Sequence, residues 1–595
     1  MSSISTSAHL AQRTSSAFRS QSGLTNPRSA NSVPTSAPRP GGPAARLAIS
    51  AAGQAAVSGR AVTTVVTAGR FLAVTNQNDA ADMQSVTSGA SINAGTTTLL
   101  LKLPKLAQGV RYQLASLSLS SSPGTQLSYS LIDSKGVARS ITPSTPFTVA
   151  SSGTYQLAIR AQNGTLGGTL SATLKGSAYL PASSGDSNID SVLYGGRGFW
   201  QNIEQLLTGT GPTQGGTVIT SKVKALAANS AKTVIKYGFL TSDPTNSNGF
   251  ETLNNDAKAA VRSAFSYFSN LINVRFDETA DQANADIAFG ANTQAQSNGY
   301  AYIPNSTPTK NKTYVMLAKN GTYSQEANFA PGSYNWSTII HETGHALGLK
   351  HPGNYNAGGG GGTPPFLPAN LDNQQYSMMS YNANSYTQGV YYQSPMLLDV
   401  AALQYLYGVN QTGSTATSGS FHLTGNNLRT LYSKNTQDTI DLSALTRPSI
   451  INLNAGEFSS INILSAAGSN YSGRNNVAIA YGSTINNVKL SNSAAEEVIL
   501  NNAYSNKKFN TITQMGSNDT LTLKNSLFGP LAASNVLIAN NATKAISATT
   551  RLIVDSARGD IYLDRDGTGK KFNAVKIARY TGGAALSSSN FKFIA

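Results

Sequence analysis

Three of the five histidines in this chain of 595 residues fall in one run, His341-Glu342-Thr343-Gly344-His345-Ala346-Leu347-Gly348-Leu349-Lys350-His351. Residues four apart share one face of a helix, so His341 and His345 are expected to aim ring nitrogens at one ion about 2.0 to 2.1 Å away. Gly348 takes positive φ without steric cost, and a sharp turn there returns His351 as a third ligand. Three protein ligands leave one position open on a zinc ion, the arrangement of a catalytic rather than a structural site, where a water is acidified toward neutral pH and aimed at a carbonyl. Glu342, on the neighbouring helix face, is the expected base that takes the water's proton and returns it to a departing amine. The plainer reading, three unrelated surface or core histidines, does not explain why three of five cluster with this spacing. His9 and His422 are expected to be solvated or locally hydrogen-bonded.

The rest of the composition restricts what can surround such a site. A chain of this length exceeds one hydrophobic core, so three or four domains are expected. Without cysteine there are no disulfides, no thiolate metal sites and no cysteine nucleophile, and latency cannot come from a thiolate on the metal. Charged residues are 12% of the chain while Ser, Thr, Asn, Gly and Ala dominate, a profile of β-rich extracellular proteins. The formal charge of +16 comes without a compact Lys/Arg run or an aromatic-interleaved basic motif, so no nucleic-acid partner is expected. No stretch approaches the ~20 apolar residues of a membrane span. Residues 1–50 lack the apolar core of a secretory signal, which points to another export route; an Arg- and Ser-containing leader with no acid before Asp79 also reads as an organelle transit peptide.

Four segments follow from texture along the chain. Residues 1–60 are a low-complexity Ser/Pro/Arg-rich leader expected to be disordered. Residues 61–183 carry short alternating runs (Leu99 to Leu103, Tyr112 to Leu119, Leu127 to Ile132, Tyr155 to Ile159) between turn residues, the pattern of a β-sandwich. Residues 184–410 read as α+β: strand-like Val234 to Phe239, a helix with Ala257, Val261, Ala264, Phe265, Phe268, Leu271 and Ile272 at 3.6-residue spacing, strands at Val274 to Phe276, Ile287 to Phe289 and Tyr314 to Leu317, a helix over Thr338 to Leu349 capped by Asn335, and a helix from Asp399 to Leu406. Residues 411–595 return to short β runs, including Thr439 to Leu442, Ile450 to Leu453, Val488 to Leu490, Val498 to Leu500 and Leu521 to Leu523, at irregular spacing.

Downstream of the histidines stands Gln375-Tyr376-Ser377-Met378-Met379-Ser380-Tyr381. An isolated Met is ordinarily core filler, but after a zinc helix it reads as the tight methionine turn that floors a metzincin site. Tyr381 then brings a phenol near the metal, to ligate zinc at rest or to donate to an oxyanion. With these residues in view, the sequence resembles the serralysin branch of the metzincin metalloproteases. HETGHALGLKHPGNY at His341 to Tyr355 is similar to that family's extended zinc motif, and SMMSY at Ser377 to Tyr381 to its methionine turn and zinc-binding tyrosine. Asn188-Ile189-Asp190 with Leu193 and Trp200, and Leu398 to Gln404 with Leu406-Tyr407-Gly408, resemble the two ends of the same domain. Asn354 stands where the family commonly has Asp, and the chain is basic where secreted members are usually acidic.

The resemblance implies a metzincin (zincin-like) α+β catalytic domain, flanked by the N-terminal β-sandwich and by a C-terminal β-rich, β-roll-like domain entered at Asn435 to Leu442. It implies a zinc-dependent endopeptidase with Glu342 and Tyr381 in catalysis, His341, His345, His351 and Tyr381 toward zinc, and protein or peptide substrates. Gly-Gly-x-Gly-x-Asp repeats are missing and only Gly516-Ser517-Asn518-Asp519 remains of them, so calcium dependence is expected to be weak. Gly559 through Phe593 resembles the terminal region of type I secretion substrates, implying a secreted, extracellular protein, a C-terminal signal and a type I apparatus as partner. The competing class is a non-enzymatic surface or adhesion protein with an inactive metzincin domain; an intact Glu342 argues against it.

Overall fold

The computed structural model describes residues 62–595 apart from 69–71, 74–81, 107–109, 179–182, 195–199, 201–212, 228–231, 244–247, 305–311, 321–327, 357–361, 465–470, 503–507 and a few single or paired positions. The leader expected over residues 1–60 lies outside the described residues.

Among the described residues, ten strands between Val62 and Ala178 enclose one apolar core. Thr96–Lys102, Tyr155–Gln162 and Gln126–Asp133 pair antiparallel as one set. Asp82–Ser91, Leu166–Ala178 and Val110–Ser121 pair antiparallel as another, and the two sets meet at Leu166 and Thr96. Alternation supplies the core: Val110, Tyr112 and Leu114 are buried while Arg111 faces out, and they meet Leu99, Leu101, Leu157 and Ile159 from the other set.

The central domain is built on a five-stranded sheet. Its strands are β1 (Thr233–Phe239), β2 (Val274–Glu278), β3 (Ile287–Asn292), β4 (Gly299–Ala301) and β5 (Thr313–Ala318), in the order β2-β1-β3-β5-β4. The first four in that order run parallel; β4 pairs antiparallel with β5 at the edge. Among the described residues four helices accompany it: α1 (Ser187–Val192), α2 (Asn255–Leu271), α3 (Tyr334–Ala346) and α4 (Leu397–Tyr407). The side chain of Asn254 accepts the Ala257 N–H at 2.8 Å and starts α2, whose buried stripe of Ala257, Val261, Ala264, Phe265, Phe268 and Leu271 matches the expected spacing. Phe265 packs its ring against Tyr237, Phe276 and Phe289 of the sheet.

The helix expected over Thr338 to Leu349 begins about a turn earlier and ends at Ala346, and its cap is Ser333, whose hydroxyl accepts the Trp336 N–H at 3.2 Å; Asn335 lies inside the first turn. All thirteen residues of α3 are buried, so no polar face marks where it starts.

The C-terminal domain stacks short parallel strands in two layers. One runs Ser420–His422, Thr439–Asp441, Asn487–Lys489, Asn510–Thr513 and Val575–Thr581. The other runs Ser449–Asn452, Glu496–Ile499, Thr520–Lys524 and Phe591–Ile594. Buried amides stitch successive turns: Asn501 donates to the carbonyls of Leu453 and Ile485, and Asn510 to those of Asn501 and Ile577. The carboxylate of Asp519, in the one remnant of a calcium-loading repeat, accepts the Gly516 and Glu496 N–H groups. The tail from Ile553 onward is folded into both layers, with Val554, Ile561, Ile577 and Phe591 in the domain core.

Glu496 is 2% exposed, and burial followed by the neighbouring charge of Asp519 pushes its carboxyl up to about 8. An unfolded Glu titrates near 4.3, so between these values the fold holds a proton that the unfolded chain has released. This contribution to stability is complete below about pH 4.3 and is lost as pH rises to about 8. Glu496→Gln should therefore flatten the decline in urea midpoint between pH 5 and pH 8 relative to the parent. Equal declines in both proteins would refute the assignment.

Candidate metal centre

The helix α3 delivers two of the three histidines, and its C-terminus must be closed without water because it is buried. The N–H of Leu347 returns to Thr343 and Gly344, and that of Gly348 to His345. Gly348 then turns the chain at φ +102, a conformation that strains any residue with a Cβ, as the sequence predicts. Two long-range donors satisfy the last carbonyls: Trp200 Nε1 bonds Ala346 O at 2.7 Å and the Tyr407 hydroxyl bonds Leu347 O at 2.8 Å. The end of α1 and the residues just after it hold the turn from the other side, through Lys350 N to Val192 O at 2.9 Å and Tyr194 N to Gly348 O at 3.0 Å. Lys350 Nζ adds bonds to Ser191 O at 2.6 Å and Pro365 O at 2.8 Å, and its burial lowers the ammonium's pKa to about 8.

These supports bring His341, His345 and His351 together. The Nε2 atom of His351 lies 3.0 Å from that of His345 and 3.3 Å from that of His341. Each Nδ1 faces an acceptor: His341 the Met378 carbonyl at 2.8 Å, His345 the Leu349 carbonyl at 2.9 Å, His351 the Asn356 Oδ1 at 2.9 Å. A carbonyl oxygen accepts only from a protonated nitrogen, so every ring carries its proton on Nδ1 and its lone pair on Nε2. Tetrahedral ligands at about 2.0 to 2.1 Å from zinc sit about 3.3 Å apart, so the donor set fits that ion. Burial disfavours the charged imidazolium: His345 is lowered to about 4, and His341 and His351 fall well below the usual value, burial first and neighbouring histidines second. Among the described residues this is the one group of three or more His, Cys, Asp or Glu whose ligand atoms converge within 4.8 Å.

Glu342 is 1% exposed and stands on the helix between the two histidines. Burial raises its carboxyl well above the ordinary range, and Oε2 has no hydrogen-bond partner. Gly299 of the edge strand β4 lies against it: a Cβ there would come 3.2 Å from Oε1 and 3.1 Å from Cγ.

Below the helix, Ser377 to Ser380 form a tight turn closed by Ser380 N to Ser377 O at 3.2 Å, with Met378 and Met379 fully buried in the core. Asp399 of α4 fixes this turn. Its carboxylate accepts Ser377 Oγ at 2.6 Å, Met378 N at 2.6 Å and Met396 N at 2.8 Å, binding the turn to the start of α4. Burial raises this carboxyl to about 7 despite the three donors. The ring of Tyr381 stands 4.5 Å from that of His351 and stacks on Tyr355 at 4.7 Å. The Tyr355 hydroxyl is itself held by Asp372 at 2.5 Å.

All five residues singled out from the sequence thus lie at one place. Those not assigned such a role from the sequence are Asn356, Lys350, Asp372 and Gly299, along with the contacts made by Asp399 and Trp200. His422 is apart from the site, exposed and 3.3 Å from Asp441; His9 lies outside the described residues.

Comparison with known proteins finds a family match and several relatives over part of the chain. Residues 230–357 match the family model for the matrixin peptidases, M10. The chain is 31% identical to a serralysin of Photorhabdus sp. (strain Az29) over 281 residues, 42% of this chain and 55% of that protein. It is 31% identical to the metalloprotease AprA of Pseudomonas entomophila over 300 residues, 46% and 59% respectively, and 32% identical to a serralysin of Proteus mirabilis over 274 residues, 41% and 53%. The chain therefore spans little more than half the length of the curated relatives it matches. The three converging histidines could hold one metal ion. The comparisons show more narrowly that the chain carries a serralysin-like metzincin domain of the M10 peptidases.

Removing the Asp399 carboxylate strands three buried donors, each costing about 1 to 3 kcal/mol when unsatisfied. Asp399→Ala should lower stability by about 3 kcal/mol or more in chemical denaturation, and Asp399→Asn, which keeps one acceptor oxygen, by less. An Ala variant as stable as the parent would show that the turn is held elsewhere.

Proposed function

We propose that this chain is a zinc-dependent endopeptidase that hydrolyses peptide bonds in extracellular proteins. One observation carries the reading: three Nε2 atoms converge at ligand spacing beside a buried carboxylate whose Oε2 has no hydrogen-bond partner. Bound zinc would supply the positive charge that acidifies a water and polarises the scissile carbonyl.

The protein's own groups do the rest. Glu342 accepts the attacking water's proton on its unpartnered Oε2 and returns it to the departing amine. Tyr381, held against His351 by its stack on Tyr355, acts as a further metal ligand at rest or as the phenol donor to the developing oxyanion. Among the described strands β4 pairs only with β5, so an extended substrate adds along its other side, and Gly299 keeps that approach to Glu342 narrow but open.

Casein hydrolysis by the full chain should vanish on verified zinc removal and return with zinc. In the same assay Glu342→Ala should retain zinc while losing about two to four orders of magnitude in turnover, and Tyr381→Phe should lower kcat more than it raises KM. Full activity without metal, or in Glu342→Ala, would overturn the proposal; a Tyr381→Phe effect confined to KM would make the phenol a ground-state contact.

The extracellular setting and a type I apparatus as partner are part of the same proposal, resting on the serralysin likeness of the domain and the resemblance of the tail. Among the described residues no helix is long and apolar enough to cross a membrane. Because the tail is integral to the domain core, deleting it would unfold what it is meant to test. The full chain should instead be exported by cells carrying a type I system and kept inside cells lacking one, and retention in both would remove the export reading.

A further inference from the structure

Residues 380 to 382 carry the phenol of Tyr381 past the three histidines, and the side chain of Asp372 reaches all three positions. Its Oδ1 accepts the Tyr355 hydroxyl at 2.5 Å and the Ser380 hydroxyl at 2.7 Å. A hydroxyl has one hydrogen, so both are committed to Oδ1 and each oxygen can otherwise only accept. The Tyr355 oxygen takes the Tyr381 N–H at 3.4 Å, and the Ser380 oxygen takes the Asn382 N–H at 3.2 Å. The Asn382 amide closes the group by donating to the Asp372 carbonyl at 3.0 Å and to Oδ2 at 3.1 Å. Hydrogen bonds to a carboxylate are the stronger kind, which suits Asp372 as the anchor.

Burial alone does not fix the Tyr381 ring, which is partly exposed. Tyr355 meets it twice: ring on ring, at 4.7 Å with the planes 24° apart, and hydroxyl on main chain. Space for this couple is reserved in the chain. A Cβ at Gly353 would come 2.1 Å from Tyr355 Cε1 and 2.6 Å from Asp372 Oδ2, so only a glycine lets the two side chains meet there.

We propose that Tyr355 and Asp372 are positioning residues for Tyr381: the Asp372 carboxylate locks the Tyr355 hydroxyl, which sets the main chain of Tyr381 and with it the place of the phenol beside His351. This rests on the role given to Tyr381 above. A donor that acts only in the transition state loses its effect when displaced by about 1 Å, so the clamp acts on turnover more than on substrate affinity.

Two readouts on the full chain test this, one of them without metal. Tyr355→Phe keeps the ring and the main-chain bond to His351 and deletes only the hydroxyl. In the zinc-free protein it should speed amide hydrogen exchange over residues 380–382 by about tenfold or more and leave exchange over α3 as in the parent. With zinc, the same change should lower kcat on casein by about 10- to 100-fold with KM near parental. Added to Tyr381→Phe it should lower kcat no further, because a residue that acts through the phenol then has nothing to position. Asp372→Asn, which keeps an acceptor oxygen, should retain more activity than Asp372→Ala; if the alanine variant does not fold, the Tyr355→Phe comparison decides. Parental exchange over residues 380–382, or a kcat loss as large in the Tyr381→Phe background as in the parent, overturns the inference. Faster exchange in a chain that hydrolyses no casein with zinc bound would support the clamp and remove the peptidase reading.

Discussion

Three imidazole nitrogens with their lone pairs turned toward one another, 3.0 and 3.3 Å apart and sealed from water, repel. The surroundings hold this arrangement in place. Each ring is held from behind through Nδ1, the helix end is closed by Trp200 and Tyr407, and the turn at Gly348 is clamped by the end of α1 and the residues just after it. A cation at the centre converts that repulsion into attraction, and the free energy it contributes is folding free energy as much as binding free energy. Much of the central domain can be understood as the frame that holds this unfavourable geometry ready.

The legible part of the site was the part encoded locally. His341, Glu342 and His345 are spaced by the helix itself, and Gly348 marks the one backbone conformation that returns His351. Ser377 to Tyr381 stood out because methionine and tyrosine follow a zinc helix. The boundaries of α3 were not legible: a helix with every residue buried has no polar face, so the pattern placed its start near Thr338 and its cap at Asn335, whereas the hydroxyl of Ser333 does the capping. The strand β4 was missed because three residues, Gly299 to Ala301, are too few for a period of two to register.

The remaining supports were hidden for a different reason. Trp200 reaches Ala346, Lys350 reaches Ser191 and Asp399 reaches Ser377, contacts that join positions far apart in the chain and leave no periodic trace. Asn356 is close in sequence, yet an amide in a Gly- and Asn-rich stretch reads as a turn residue. The C-terminal layers offered a similar contrast. Their short apolar runs were visible, while the turn-to-turn amide bonds of Asn501 and Asn510 were not.

The core of the central domain is not made only from the residues between its first and last helices. Leu428, Tyr432 and Ala480 belong to it, the Tyr432 hydroxyl bonds Asn410 O at 2.6 Å, and Tyr267 reaches across to Thr430 O at 3.0 Å. During synthesis the metal ligands therefore leave the ribosome before the side chains that complete the core around them. For that interval the nascent chain holds every reactive group but not the rigid frame that aligns them. The core around the ligands is therefore complete only once the chain has been made at least as far as Ala480.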